Sequence, residues 1–179
     1  MILYKSKDLT VRELEKGDEA LLVAWLSNPA LLKFYEGRDR PHNLAMVREH
    51  FYNDEDVVRC IVEYQGEPVG YIQFYLLDQD ELVEYGYAGL DQVIYGTDQF
   101  IGEIGMWNHG IGAKMVRSMI KYLAEEKKAN RVVMDPHVKN GRAIACYEKC
   151  GLKKVKLLKA HELHEGELRD SWLMEYRCN

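Results

Sequence analysis

Apolar positions along the chain alternate between two periods, and the switches between them mark the predicted elements. "LTVREL" alternates as a half-buried strand does, and "GDEALLVAWLSN" then spaces its apolar residues at helical intervals behind Asp18. "NLAMVREHFYN" predicts a second helix. "VVRCIVEY" and "VGYIQFYLL" are strand-like runs joined by "QGEP", which predicts a hairpin. "DQDELVEYGYAGLDQ" reads as an acidic loop. "VIYGTDQFIGE" is strand-like, interrupted by Gly96, Thr97 and Asp98. Ile111, Met115, Met119 and Leu123 recur at every fourth position, one apolar stripe on a long helix. "RVVMD" predicts a short buried strand stopped by Pro136, which biases Asp135 toward extended backbone. "NGRAIACYEKCG" predicts a helix capped by Asn140 and stopped at Gly151, and "LKKVKLL" and "SWLMEYR" predict the closing strands.

Strands and helices in this order predict an α/β (α+β) fold around one sheet. No repeat, low-complexity tract or linker interrupts the chain, so residues 1–179 are expected to form a single domain. With 47% hydrophobic and 30% charged residues the chain reads as soluble and globular. No apolar run approaches the roughly 18 residues of a membrane span, and "MILYKSKDLTVREL" lacks the pattern of a signal peptide. A cytoplasmic location is expected. Cys60, Cys146, Cys150 and Cys178 form no CxxC pair and read as reduced, packed thiols. The net charge of −5 offers no general attraction to nucleic acid and suits a cationic small molecule. Oligomeric state is left open.

"WNHGIGAK" places two glycines ahead of the long helix. Such turns hold anions because free backbone N–H groups and the positive end of the helix dipole converge there. Gly105 and Gly110 have the gap of a Walker A loop, but Ile111 and Gly112 stand where Lys and Ser/Thr should follow. A dinucleotide fingerprint needs a third glycine where Met115 stands. Further along, Asn140, Ala143 and Tyr147 fall on one helix face, an amide and a phenol flanking a small residue that permits close approach.

The turn followed by N-x-x-A-x-x-x-Y resembles the GNAT superfamily of acetyl-CoA-dependent N-acetyltransferases. "YGTDQFIG", "GIGAK", "DPHVKNGRAIACYEKCG", "KFYEGRD" and "HELHEG" resemble, more narrowly, segments of the bacterial aminoglycoside 6'-N-acetyltransferases. The resemblance spans nearly the whole chain and implies a mixed central sheet flanked by helices, acetyl-CoA as co-substrate and no metal. It implies that the backbone of Phe100 and Ile101 runs beside the pantetheine arm. His109, Gly110, Ile111, Gly112, Ala113 and Lys114 would wrap the pyrophosphate, and Asn140 and Ala143 would meet the CoA backbone. Trp107 departs from the superfamily, which often has Gln or Arg at that position.

Acetyl transfer to an amine needs a neutral nitrogen, a polarised thioester and a proton donor for the thiolate. The resemblance implies direct attack in a ternary complex, with Asp98 as base and Tyr147 as acid. Asp98 and Asp135 are expected to anchor a cationic aminoglycoside, with Tyr35, Glu36 and Asp80 as further substrate-binding candidates. Trp25 is a candidate sugar wall, although an amphipathic helix more often buries such a residue. His161 and His164 are three apart, not four as in HExxH, so "HELHEG" reads as a loop or short helix rather than a zinc site. The implied activity confers antibiotic resistance. Two alternatives remain open: another amine acceptor, such as a polyamine or a protein, and a CoA-binding module without turnover.

Overall fold

The computed structural model describes residues Met1–Asn179. The strands are β1 (Ile2–Lys5), β2 (Leu9–Glu13), β3 (Val58–Tyr64), β4 (Glu67–Leu76), β5 (Ile94–Ile101), β6 (Arg131–Met134), β7 (Lys153–His164) and β8 (Glu167–Arg177). The α-helices are α1 (Glu19–Trp25), α2 (Pro29–Leu32), α3 (Leu44–Phe51), α4 (Gln79–Tyr85), α5 (Ile111–Glu126) and α6 (Gly141–Lys149). Strands hydrogen-bond in the order β1-β2-β3-β4-β5-β6-β8-β7. The sheet is mixed. β2 and β3 run antiparallel, with Val11 opposite Val62, whereas β5 and β6 run parallel, with Gly96 opposite Val133. Parallel neighbours need a crossover, and the segment between these two carries α5.

The chain divides into two compact units. The first comprises Met1–Gln73, Gln99–Gly112 and His164–Glu167, and the second Phe74–Asp98, Ala113–Leu163 and Leu168–Asn179. In the first, Leu22, Leu31, Leu32 and Val47 from the three short helices, with Leu26 just after α1, pack with Ile61, Tyr71 and Phe100. Such aliphatic and aromatic side chains each contribute roughly 1.5–3 kcal/mol on leaving water. In the second, Tyr85, Tyr87, Ile94, Val133, Leu158 and Leu173 form the core. Along α5, Ile111, Met115, Met119 and Leu123 are all buried, as their four-residue spacing predicts.

Three predicted segments differ from the structure. The acidic "DQDELVEYGYAGLDQ" is not all loop, since it contains α4. Asp78 accepts from the Glu81 N–H, and the Glu81 carboxylate accepts from the Asp78 N–H, a reciprocal capping box, while Gly86 ends the helix at φ 81°. "HELHEG" is neither loop nor helix. It is the end of β7 and a tight turn, with Glu165 and Gly166 at φ 52° and 78°, the left-handed pair that a two-residue hairpin requires. The "QGEP" hairpin turns on Gln65 and Gly66 alone, and Glu67 and Pro68 already belong to β4. All four cysteines are free thiols, with Cys60 and Cys150 buried. No helix is long and apolar enough to cross a membrane.

Candidate active site

The glycine turn takes its shape from positive φ values. Asn108 lies at φ 62° and Gly110 at φ 78°, and a Cβ built on Gly110 would meet nothing within 4 Å. The backbone there is accessible to a ligand on the side where a larger residue would project. Asn108, His109 and Gly110 are exposed, Gly112 and Ala113 half-buried, and Lys114 exposed in the first turn of α5. Ile111 is buried, so its side chain anchors the helix start in the core and only its backbone can face a phosphate. First-turn N–H groups of a helix have no carbonyl four residues back to bond, which makes such a turn a general place for an anion.

Trp107, the residue that departs from the resemblance, has a structural task. Its indole N–H donates to the Ile101 carbonyl at 2.8 Å, and its ring meets Phe34 edge-on at 6.4 Å. It ties the end of β5 to the loop leading into the turn. Phe100 is buried, with Tyr35 tilted against it at 4.8 Å and Tyr71 stacked at 5.3 Å. Tyr35 therefore packs as part of this aromatic core, next to Glu36, which adopts φ 66°. Trp25 is core rather than a sugar wall, 3% exposed with its N–H donating to Glu103 at 2.8 Å. Arg38 makes a forked salt bridge to Glu165, at 2.7 Å for the shortest contact, and so joins "KFYEGRD" to "HELHEG" within the first unit.

The second unit holds the acidic chemistry. Asp98 lies on β5 with Gly96 two residues before it, so both face the same side of the strand. A Cβ at Gly96 would fall 2.7 Å from the Tyr75 ring. The interruption visible in the sequence is thus the room that lets a tyrosine lie across the strand. Burial raises the Tyr75 phenol far above its ordinary pKa, and the carboxylates of Asp98, Asp135 and Glu81 push it further. Tyr85 is raised by burial and then by Asp135, Glu81, Glu84 and Asp98. Burial also raises the Glu81 carboxyl, reinforced by its neighbours Asp78, Asp135 and Glu84. These mutual effects define one neighbourhood of carboxylates walled by two neutral phenols. It contains the sequence candidates Asp98 and Asp135.

Asp135 follows β6, and its Oδ2 lies 2.8 Å from Nε2 of His161 on β7; the other ring nitrogen lies 2.9 Å from Glu84 Oε1. Asp80 stands exposed in the first turn of α4, where its charge favours the helix N-terminus. Asp78 is the cap of that helix. On α6, the Asn140 side chain accepts from the Ala143 N–H at 3.3 Å, so its carbonyl oxygen serves as the helix cap. Tyr147, four residues beyond Ala143, is half-buried on the same helix. His164 is buried in the first unit, its ring near the Leu32 carbonyl at 3.4 Å.

Tyr75, Glu81, Glu84, Tyr85 and His161 escape the sequence reading. For the two glutamates a signal exists: the D-x-x-E of Asp78 and Glu81 starts a helix, and Glu84, three residues on, shares a face with Glu81. For His161 there is none, because its partners lie 26 and 77 residues away.

The sequence profile described as "Acetyltransferase (GNAT) domain" matches residues 15–160. The type 1 aminoglycoside N(6')-acetyltransferase of Klebsiella pneumoniae is 29% identical over 164 residues, which is 86% of this chain and 78% of that protein. An N-alpha-acetyltransferase of Sulfurisphaera tokodaii is 32% identical over 119 residues, 64% of this chain and 65% of that one. Among solved structures, AAC(6')-Ib in complex with ribostamycin and coenzyme A superposes with a TM-score of 0.78 at 25% identity, covering 96% of this chain and 94% of that one.

Proposed function

The chain belongs to the GNAT family of acetyltransferases and takes its acetyl group from acetyl-CoA; from that premise we propose that the acceptor is the 6'-amine of aminoglycoside antibiotics, with resistance as the consequence. The observation that carries this reading is the neighbourhood of Asp98, Asp135, Glu81 and Glu84 between Tyr75 and Tyr85. Clustered carboxylates repel one another, and a sugar bearing several ammonium groups relieves that repulsion. The aminoglycoside acetyltransferase of Klebsiella pneumoniae, similar over 86% of this chain, supports the same acceptor.

In the proposed reaction the pyrophosphate of the donor rests on the backbone of residues 109–114, with Lys114 supplying positive charge. Phe100 and Ile101 line the pantetheine arm, and Asn140 and Ala143 lie along it. The 6'-nitrogen attacks the thioester carbonyl directly. The 6'-ammonium first loses one proton to solvent; Asp98 orients the resulting neutral amine and takes its second proton, directly or through water, as the nitrogen becomes positive on attack. A carboxylate is too weak a base to deprotonate a free ammonium efficiently, and it suits that late acceptance better. Asp135 holds a second cationic group of the acceptor. As the C–S bond breaks, the thiolate takes a proton from the Tyr147 phenol. A thiolate is stable enough near neutral pH that Tyr147→Phe keeps about a tenth of wild-type kcat, measured by CoA release. Full activity in that variant would remove Tyr147 from the scheme.

The direct test is mass spectrometry of a kanamycin-class drug incubated with acetyl-CoA and the protein. One acetyl increment located on the 6' position is expected, and none would reject the acceptor assignment. A second reading, acetylation of a peptide N-terminus, draws on the similarity to the N-alpha-acetyltransferase over 64% of the chain. A peptide panel in the same assay separates the two, since an acid-walled site should favour polyamine sugars over a singly charged peptide terminus.

A further inference from the structure

His161 has no part in the scheme above, yet it is the cation at the centre of the acidic neighbourhood. Its two ring nitrogens lie 2.8 Å from Asp135 Oδ2 and 2.9 Å from Glu84 Oε1. Ionised carboxylates only accept hydrogen bonds, and a neutral imidazole has a single N–H. Both bonds together therefore require a doubly protonated ring. The bond to Asp135 is the main reason that the ring pKa rises to about 9; burial opposes the shift, and the Asp135 charge and the bond and charge of Glu84 add to it. The groups facing the ring are Asp135 after β6, and Glu84 and Tyr85 on α4, with Tyr85 at 6.1 Å between ring centroids. On β7, Lys156 donates to the Glu84 carbonyl, and the Asp170 carboxylate of β8 accepts from the Ala160 N–H at 2.8 Å.

We propose that His161 is a specificity-determining residue of the acceptor site: its imidazolium occupies, between Asp135 and Glu84, the place of one substrate ammonium group. An incoming cation must compete with this internal one. The proposal rests on the reading of the acidic neighbourhood as the acceptor site. A monoamine gains little by displacing a cation that is already well bonded. An acceptor with several linked ammonium groups, held first at another carboxylate, presents its next cation at high effective concentration and can win. His161 thereby selects for polycations and against single amines. As the ring loses its carboxylate partners, its pKa returns toward 6.5 and its proton is released.

Two measurements on the full chain test this without turnover. In nitrogen-15 NMR of the imidazole near neutral pH, the unliganded protein should show both His161 nitrogens protonated. Saturation with neomycin should lower the His161 pKa by more than about one unit. An unchanged pKa while resonances elsewhere report that neomycin is bound would overturn the proposal. In calorimetry at low salt, His161→Gln should bind the monoamine glucosamine about five- to tenfold more tightly than wild type, because the internal competitor has left the cluster, and should tighten neomycin binding by a smaller factor, so that the preference for the polycation narrows. A neomycin preference that is unchanged or wider in His161→Gln, or no neomycin binding to either protein, would also overturn it. If His161→Gln fails to fold, the wild-type NMR titration still decides. The acceptor assignment fails separately: kanamycin left unacetylated while neomycin lowers the His161 pKa rejects the assignment alone, whereas acetylated kanamycin with an unmoved pKa rejects only the role of His161.

Discussion

Two charged regions of this molecule are built on opposite principles. In the first unit, Arg12 on β2 reaches both carboxylate oxygens of Asp18, at 2.8 and 2.9 Å, and Glu63 on β3, at 2.8 Å. Asp18 also accepts from the Glu15 N–H. Although burial works against the ionised form, these bonds and the Arg12 charge hold the Asp18 carboxyl below its usual pKa. In the second unit, Asp135 and Glu84 flank His161, and burial, reinforced by neighbouring carboxylates, raises Glu81 and the phenols of Tyr75 and Tyr85. A charge network matched by a planar guanidinium serves the fold. One in which carboxylates gather costs the fold free energy, which a cationic acceptor would recover under the proposed function.

The comparison is broken most directly at Asp98. Asp98→Asn should lower kcat/KM for the amine about 100- to 1,000-fold while leaving the unfolding midpoint unchanged or slightly raised, because like-charge repulsion is reduced. Comparable kcat/KM for variant and wild type would remove Asp98 as the base. The converse change is Arg12→Leu, which strands Asp18 and Glu63. It should cost about 2–3 kcal/mol in denaturant unfolding, below the full cost of breaking a buried pair because the network is partly exposed, and activity per folded molecule should persist. A loss of activity without a loss of stability would contradict the division drawn here.

The smallest effect is in the pH dependence of stability, where the two regions carry opposite signs. Asp18 has a folded pKa below its ordinary value of 3.8, so its contribution is present above that pH and lost as pH falls through the folded value. His161 has a folded pKa raised from 6.5 to about 9, so its contribution is complete below 6.5 and lost as pH rises to about 9. Thermal melts of wild type and His161→Gln should differ most below pH 6.5 and converge above 9. A difference that grows with pH would mean that the ring is neutral in the folded protein.

Much of this was legible in the chain. The four-residue stripe of α5, the Asn140 cap, the strand carrying Asp98 and the closing strands all follow from local period and capping chemistry. The α4 helix was equally legible from Asp78 and Glu81, but its many charges and flanking glycines read as a loop. The extent of β7 was not: ten of its twelve residues are not buried, and its pattern lacks a clean alternation because a strand at the edge of the sheet is held by β8 rather than by its own burial.

The sequence by itself determined the fold class, the glycine turn ahead of α5 and the family, because each rests on short-range spacing that the backbone period converts directly into geometry. Tertiary structure alone decided that Trp107 braces the end of β5, that Gly96 makes room for Tyr75, and that His161 stands between Asp135 and Glu84. Those facts depend on groups far apart in the chain, and the burial and repulsion that shift their proton affinities arise only when the fold brings the groups together.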